Sequence, residues 1–280
     1  SDVYKRQIVS TALDPIFILL LDMGIAGAAW ATVFARLAFM AVGLYGVVSI
    51  HGLIKKPRLP AFLADLKAFT GIAVPAILTN IATPVINAYV TASIALHGDG
   101  AVAGWAIIGR IMPVAFGPIY ALSSSIGPIV GQNYGARLGE RMREAFKLAL
   151  GVNVGFTALA WLILVLVTPK LIALFGATGQ AADLIGLFNV WLAPLFAFMG
   201  ALFVVNAVFN TLDFPHYATM LNWSRATIGT VPLVHAGSQI AGADGVLTAH
   251  MAGGIVFGCL AVWICLRLFD RLLAAPAVAA

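Results

Sequence analysis

The chain has 280 residues, 61% of them hydrophobic and only 10% charged, with a mean hydropathy of +1.00. A soluble domain of this length has too little interior to hide that much apolar surface, so lipid must cover much of it. The formal net charge of +5 comes without an aromatic-laced basic patch, which excludes a nucleic-acid partner.

Residues 1–7 open on Ser1 without signal-peptide architecture and are set aside as an irregular leader. A helix needs roughly 20 apolar residues to cross the hydrocarbon core. Eight runs meet or approach this, near Ile8–Leu21, Ile25–Ile50, Phe69–Leu96, Val102–Val130, Leu148–Val167, Leu184–Leu212, Tyr217–Ile240 and Val246–Leu268. Strand-type alternation is missing, so the fold class is all-α: a polytopic membrane bundle of about eight transmembrane helices.

Charge fixes the orientation. Lys5 and Arg6, then Lys55, Lys56, Arg58 and Lys67, then Arg137, Arg141, Arg143 and Lys147, then Arg267 and Arg271 fall on one side. These are twelve of the sixteen basic residues; the opposite side has only Lys170, beside Asp22, Asp99, Asp183 and Asp244. Translocation disfavours cationic loops, so the basic side is cytoplasmic. A wrong span count would scramble the split.

An echo links the hinge at Gly24, Gly27 and Ala31 with that at Gly242, Gly245 and Ala249. If it is a repeat, spans three to eight are one full six-helix unit. Spans one and two then end an earlier copy, with roughly 150 residues expected before Ser1.

Polar side chains recur inside the spans. Asn80, Thr83, Asn87 and Thr91 follow helical spacing on span three, Asn206 and Asn210 lie on span six, and Ser123, Ser124 and Ser125 cluster on span four. Singly, each reads as interhelical glue; together, stripes on several helices fit a polar-lined cavity better. Pro15, Pro75, Pro84, Pro113, Pro118, Pro128, Pro194 and Pro232 interrupt the spans, as in transporters that bend. Gly151/Gly155 and Gly254/Gly258 read as small-residue packing faces.

Charges within spans are costly. Asp14, next to Pro15, must be protonated, paired or hydrated unless it lies at the span's end, and this suits a proton carrier. Ser10, one turn earlier, and Thr32, on the next helix, could hydrogen-bond in the same lobe. Arg36, Arg110 and Arg225 are read as snorkelling or paired, Arg110 towards the outer interface. Cys259 and Cys265 face different directions and cannot pair. The five histidines have no ligand spacing, so no metal is expected, and no cofactor. Neither a nucleophile–base set nor a nucleotide loop is visible, which argues against an enzyme.

Gly131-Gln132-Asn133-Tyr134-Gly135-Ala136, closing span four before an Arg-rich stretch, resembles an element of the multidrug and toxic compound extrusion (MATE) family. Leu13-Asp14-Pro15-Ile16-Phe17, the Gly24–Thr32 hinge and Val74-Pro75 support the resemblance. It implies a two-lobe fold with the N-terminal lobe incomplete. Residues 8–50 are then its last two helices, 51–68 a cytoplasmic connector, 69–270 the six-helix C-terminal lobe and 271–280 a cytoplasmic tail. It also implies a secondary antiporter, multi-pass in a bacterial inner membrane and monomeric at full length. Such a protein exports small organic, often cationic, compounds for H⁺ or Na⁺. Asp14 and Thr32 match the family's N-lobe coupling residues, and Ser10 stands where Asn is frequent. The C-lobe Na⁺ positions correspond to Thr83 and the neighbourhood of Met199, neither acidic, which favours H⁺. The cavity residues would be Asn80, Thr83, Asn87, Asn206 and Asn210. A lipid-linked precursor flippase, expected to have a strongly basic cavity, and a non-transporting scaffold are the rival readings.

Overall fold

A computed structural model describes residues 16–17, 23–50, 52 and 59–274. Every regular element among them is helical. The chain divides into two units, residues 1–67 and 68–280.

In the first unit, α1 (Gly24–Tyr45) continues through a π-helical turn, Gly46–Ile50. Gly24 starts it with φ of 52°, a conformation that glycine adopts without strain. Gly27 lies so close to the Phe17 carbonyl that a Cβ would overlap it. Phe17 stacks on Phe34 with ring centroids 5.5 Å apart. Of the predicted first span, only residues 16 and 17 are described.

The remaining helices are α2 (Leu59–Ala95), α3 (Asp99–Ala115), α4 (Gly117–Gly135), α5 (Gly139–Leu174), α6 (Gln180–Leu187), α7 (Phe196–Thr211), α8 (Pro215–Ser224) and α9 (Val231–Ala274). Helix α2 begins earlier than its apolar run, so residues 59–68, expected as connector, are helical. Likewise α5 extends span five through the Arg-rich stretch.

Two predicted spans are broken. The fourth is α3 plus α4, bent by 49°. The break lies at Phe116, whose φ and ψ of −110° and 14° leave the helical region between Pro113 and Pro118. The sixth passes from α6 through a π turn (Phe188–Leu192) and a 3₁₀ turn (Ala193–Leu195) to α7. Pro194 has no N–H, so the Val190 carbonyl lacks its usual helical donor. Trp161 Nε1 donates to that carbonyl at 2.9 Å instead. Replacing Trp161 with Phe strands the carbonyl; we expect a loss of about 2 kcal/mol, read from the unfolding midpoint in detergent.

Spans seven and eight are joined without a long loop. Within α9, Ala241 (φ −137°) and Gly242 (φ 59°) are non-helical. The chain reverses there, because Gly237 and Gly245 touch backbone to backbone, and further from the bend Gly229 meets Gly253 and Phe257. A straight helix would hold residues eight apart about 12 Å from each other. The 59-residue stretch Pro215–Leu273 is therefore an antiparallel pair of spans. With this pair separated, the described residues make seven crossings.

Helix α5 shows why the exterior must be lipid. Its buried positions, Met142, Phe146, Ala149, Asn153, Thr157, Ala160, Leu164 and Thr168, follow helical spacing. The other side carries exposed Leu148, Val152, Leu159, Leu162 and Leu166, where a water-facing helix would be polar. Inside, one core joins Ile86, Val90, Ile108, Phe116, Phe188 and Val246. A second joins Val130, Phe146, Val205, Phe209 and Phe269 near the Arg-rich end. There Arg143 Nη2 donates to Asp270 at 2.6 Å, tying the start of α5 to the end of α9.

Of the two expected glycine faces, only the later one packs. Gly254 meets Met199, and Gly258 meets the Phe198 carbonyl. No atom of another helix among the described residues lies within 4 Å of a Cβ built at Gly151 or Gly155, so those two positions face outward.

Candidate functional site

Helix α2 divides sharply by face. Ala82, Ile86, Val90 and Ile94 are buried, the last three in the first core. Asn80, Thr83, Asn87 and Thr91, at the complementary spacing, are exposed along the other side. Thr91 donates to the Asn87 carbonyl at 2.7 Å and accepts from Trp105 Nε1 at 2.9 Å, closing one end of the stripe.

The inward edge of α2 is anchored beside its prolines. Thr79 and Thr219 both donate to the Pro75 carbonyl, at 2.9 and 2.8 Å, and their hydroxyls lie 2.8 Å apart. Trp223 Nε1 donates to the Leu78 carbonyl at 3.0 Å. Helix α8 thus grips α2 between Pro75 and Pro84, through the Pro75 and Leu78 carbonyls.

The other candidate residues divide between exposed and structural positions. Asn210 is exposed at the end of α7, whereas half-buried Asn206 accepts from Asn222 Nδ2 at 3.1 Å and so ties α7 to α8. Ser124 and Ser125 are exposed on α4, their hydroxyls turned back to the Tyr120 and Ala121 carbonyls. Thr32 is exposed on α1. Asp14 and Ser10 lie outside the described residues.

A buried polar seam, not singled out from the sequence, joins α5 to the broken sixth span. Asn153 Nδ2 donates to the Ala197 carbonyl at 2.8 Å, and Asn189 Nδ2 donates to Thr168 at 3.0 Å. Thr157 and Thr168 donate to carbonyls one turn back. Asn153 and Thr157, four apart in span five, were the available signal. These groups are interhelical glue.

The Gly131–Ala136 element has a structural basis. Gly127 and Gly131 leave room for Thr211 of α7, which a Cβ at either position would crowd at 2.7 Å. Helix α4 then ends in a Schellman turn: Leu138 N–H reaches the Asn133 carbonyl and Arg137 N–H the Tyr134 carbonyl. Arg137 takes the left-handed position, φ 59°.

Carboxylates of the second unit keep to helix ends. Asp99, Glu140, Glu144 and Asp183 lie in first or second turns, Asp213 follows α7, Asp244 follows the Gly242 bend and Asp270 is near the end of α9. No group of three or more His, Cys, Asp or Glu side chains that could hold a metal occurs among the described residues. Cys259 and Cys265 are both free thiols. An apolar groove between α3 and α5, lined by Val114, Phe156, Leu159, Ile163 and Leu171 with Arg110 at its edge, is separate from the polar stripe.

The chain has known counterparts. A variant of the Vibrio cholerae MATE transporter VcmN superposes with a TM-score of 0.83 at 24% identity, over 96% of this chain and 62% of that one. The FAD transporter of Shewanella oneidensis is 26% identical over 276 residues, 96% of this chain and 61% of that protein. The probable multidrug resistance protein YpnP of Bacillus subtilis is 26% identical over 203 residues, 72% of this chain and 45% of that protein. The chain therefore spans less than two thirds of each of these relatives. The sequence model named MatE matches residues 75–234, more than half of the chain. With that match, the broken spans and the helical bundle in hand, the chain belongs to the MATE family of integral membrane transporters.

Proposed function

We propose that the full-length protein is a secondary active antiporter that exports drug-like organic compounds in exchange for H⁺, with Asp14 as the proton carrier. The observation that carries this reading is the stripe Asn80, Thr83, Asn87 and Thr91, exposed along α2 beside the buried Ala82, Ile86, Val90 and Ile94. Amide and hydroxyl groups at membrane depth need water or a polar partner, and a transport path supplies both. The carboxylates of the second unit stand at helix ends, so Thr83 and Met199 have no acidic neighbour on their own helices at that depth. That supports H⁺ over a Na⁺ site built from this unit. Thr32, with Ser10, would set the hydrogen bonding around Asp14. Protonation would shift the balance of outward- and inward-open states, which requires the proton to bind the two states unequally. No cofactor enters this scheme, and its partners are the small organic substrate and the surrounding lipid.

A second reading concerns the substrate. The Shewanella relative aligned over nearly the whole chain is named for FAD, so a flavin nucleotide is the alternative to an organic cation. The experiment is flux through the full-length protein in liposomes under an imposed pH gradient, with ethidium or FAD as substrate. Gradient-dependent movement of ethidium, abolished by a protonophore, is expected. Movement of FAD alone replaces the substrate class, and no flux of either leaves a scaffold.

A further inference from the structure

A pocket at the basic end of the bundle shares no residue with the polar stripe or with the groove beside Arg110. Its volume is about 350 Å³, and it is lined by Tyr217 of α8 with Trp263, Ile264, Arg267, Leu268 and Arg271 of α9. That is within the range of small-molecule sites, roughly 300–1,000 Å³.

The spacing along α9 builds its charge. Trp263, Arg267 and Arg271 recur every four residues, so they stack along one side of the helix. The Arg267 guanidinium lies over the Trp263 ring, 5.7 Å from its centroid, a contact that holds the cation in place. Both arginines are exposed, and neither makes a hydrogen bond or ion pair with another described residue. No carboxylate lines the pocket, and Asp270, between the two arginines in sequence, is engaged by Arg143 at 2.6 Å.

Deeper in the membrane the same side of α9 turns apolar. Val256, Leu260 and Trp263 are exposed there, at helical spacing from Arg267. Val256 lies about 16 Å from Arg267 along the helix axis, close to half of a roughly 30 Å hydrocarbon core.

A ligand matched to this surface is anionic at one end and hydrocarbon at the other. Guanidinium groups meet phosphate oxygens through charge-assisted, geometrically fitted hydrogen bonds. The same charges repel an organic cation, which sets this pocket apart from the export path proposed above. A soluble phosphate would use the arginines but gain nothing from the apolar stripe. We propose that the pocket holds the headgroup phosphate of an anionic phospholipid, with an acyl chain laid along Trp263, Leu260 and Val256. Basic pockets at the membrane boundary recognise anionic headgroups by this chemistry. The site does not depend on the coupling ion or the exported compound.

Native mass spectrometry of the full-length protein in neutral detergent, with palmitoyl-oleoyl phosphatidylglycerol as the probe, tests this. One such lipid should bind about tenfold more tightly than phosphatidylcholine with the same chains. Arg267→Gln with Arg271→Gln should remove that preference. Arg141→Gln with Lys147→Gln, an equal loss of exposed charge outside the pocket, should change it less than about twofold. Glycerol phosphate at the same concentration should not compete. Equal affinity of the unaltered protein for the two lipids overturns the proposal, whether or not the variants fold. So does equal weakening in both double variants, or displacement by glycerol phosphate.

Discussion

Replacing Asp14 with Asn in the full-length protein is expected to reduce pH-gradient-driven export to background while leaving the protein at wild-type levels in the membrane. The change is nearly isosteric and keeps a hydrogen-bonding group beside Pro15, so folding is not the quantity under test. What disappears is the group that can take up a proton on one side and release it on the other. Without unequal proton affinity in two states, a gradient cannot bias their exchange, however well substrate binds. Thr32→Ala and Ser10→Ala should weaken export without abolishing it, since each removes only a hydrogen-bonding neighbour. Efflux that still follows the pH gradient in Asp14→Asn would remove Asp14 from the coupling scheme.

Gly245→Leu should be the most disruptive single change in the second unit. A Cβ at Gly245 would overlap the Gly237 carbonyl, which is backbone and cannot rotate aside. The pair sits just inside the bend at Ala241 and Gly242, so separating it opens the hairpin from its closed end. Overpacking an ordinary core costs about 1–3 kcal/mol, and a clash with backbone across two spans should exceed that. Little folded protein should be recovered on size-exclusion chromatography. Gly155→Leu is the matched control: its site is open, so the same side chain should be tolerated within about 0.5 kcal/mol. Equal losses for both variants would show that sensitivity reflects glycine in a span rather than this contact.

Much of the architecture was legible because the bilayer imposes length and hydropathy so strongly. The seven described crossings follow the apolar runs, and the Gly242 turn stood out in a hinge comparison. The exact breaks were not legible. Pro194 announced a weakened helix, but which donor would reach the Val190 carbonyl depends on Trp161, far away in sequence. The third span starts at Phe69 as its apolar run does, while residues 59–68, which mix Asp65 and Lys67 with apolar side chains, extend the helix ahead of it, a continuation that hydropathy does not reveal.

The same limit applies to the polar residues. Spacing placed Asn80, Thr83 and Asn87 on one side of a helix, and that side is exposed. For Asn206, spacing could not reveal Asn222 across the interface. Arg225 shows the limit most clearly. From sequence alone an intramembrane arginine has two ordinary fates; its burial with Nε and Nη1 unpartnered among the described residues follows from a π turn and two glycines, Gly229 and Gly253, that bring another span close.

Cysteine accessibility tests the membrane threading on which everything rests. In full-length protein with Cys259 and Cys265 replaced by Ala, single variants Glu140→Cys and Asp99→Cys are exposed to a membrane-impermeant maleimide in intact cells. Asp99→Cys should label at once, and Glu140→Cys only after permeabilisation, because the Arg137–Lys147 stretch is held on the cytoplasmic face. Labelling of Glu140→Cys from outside, with Asp99→Cys protected, would contradict the account.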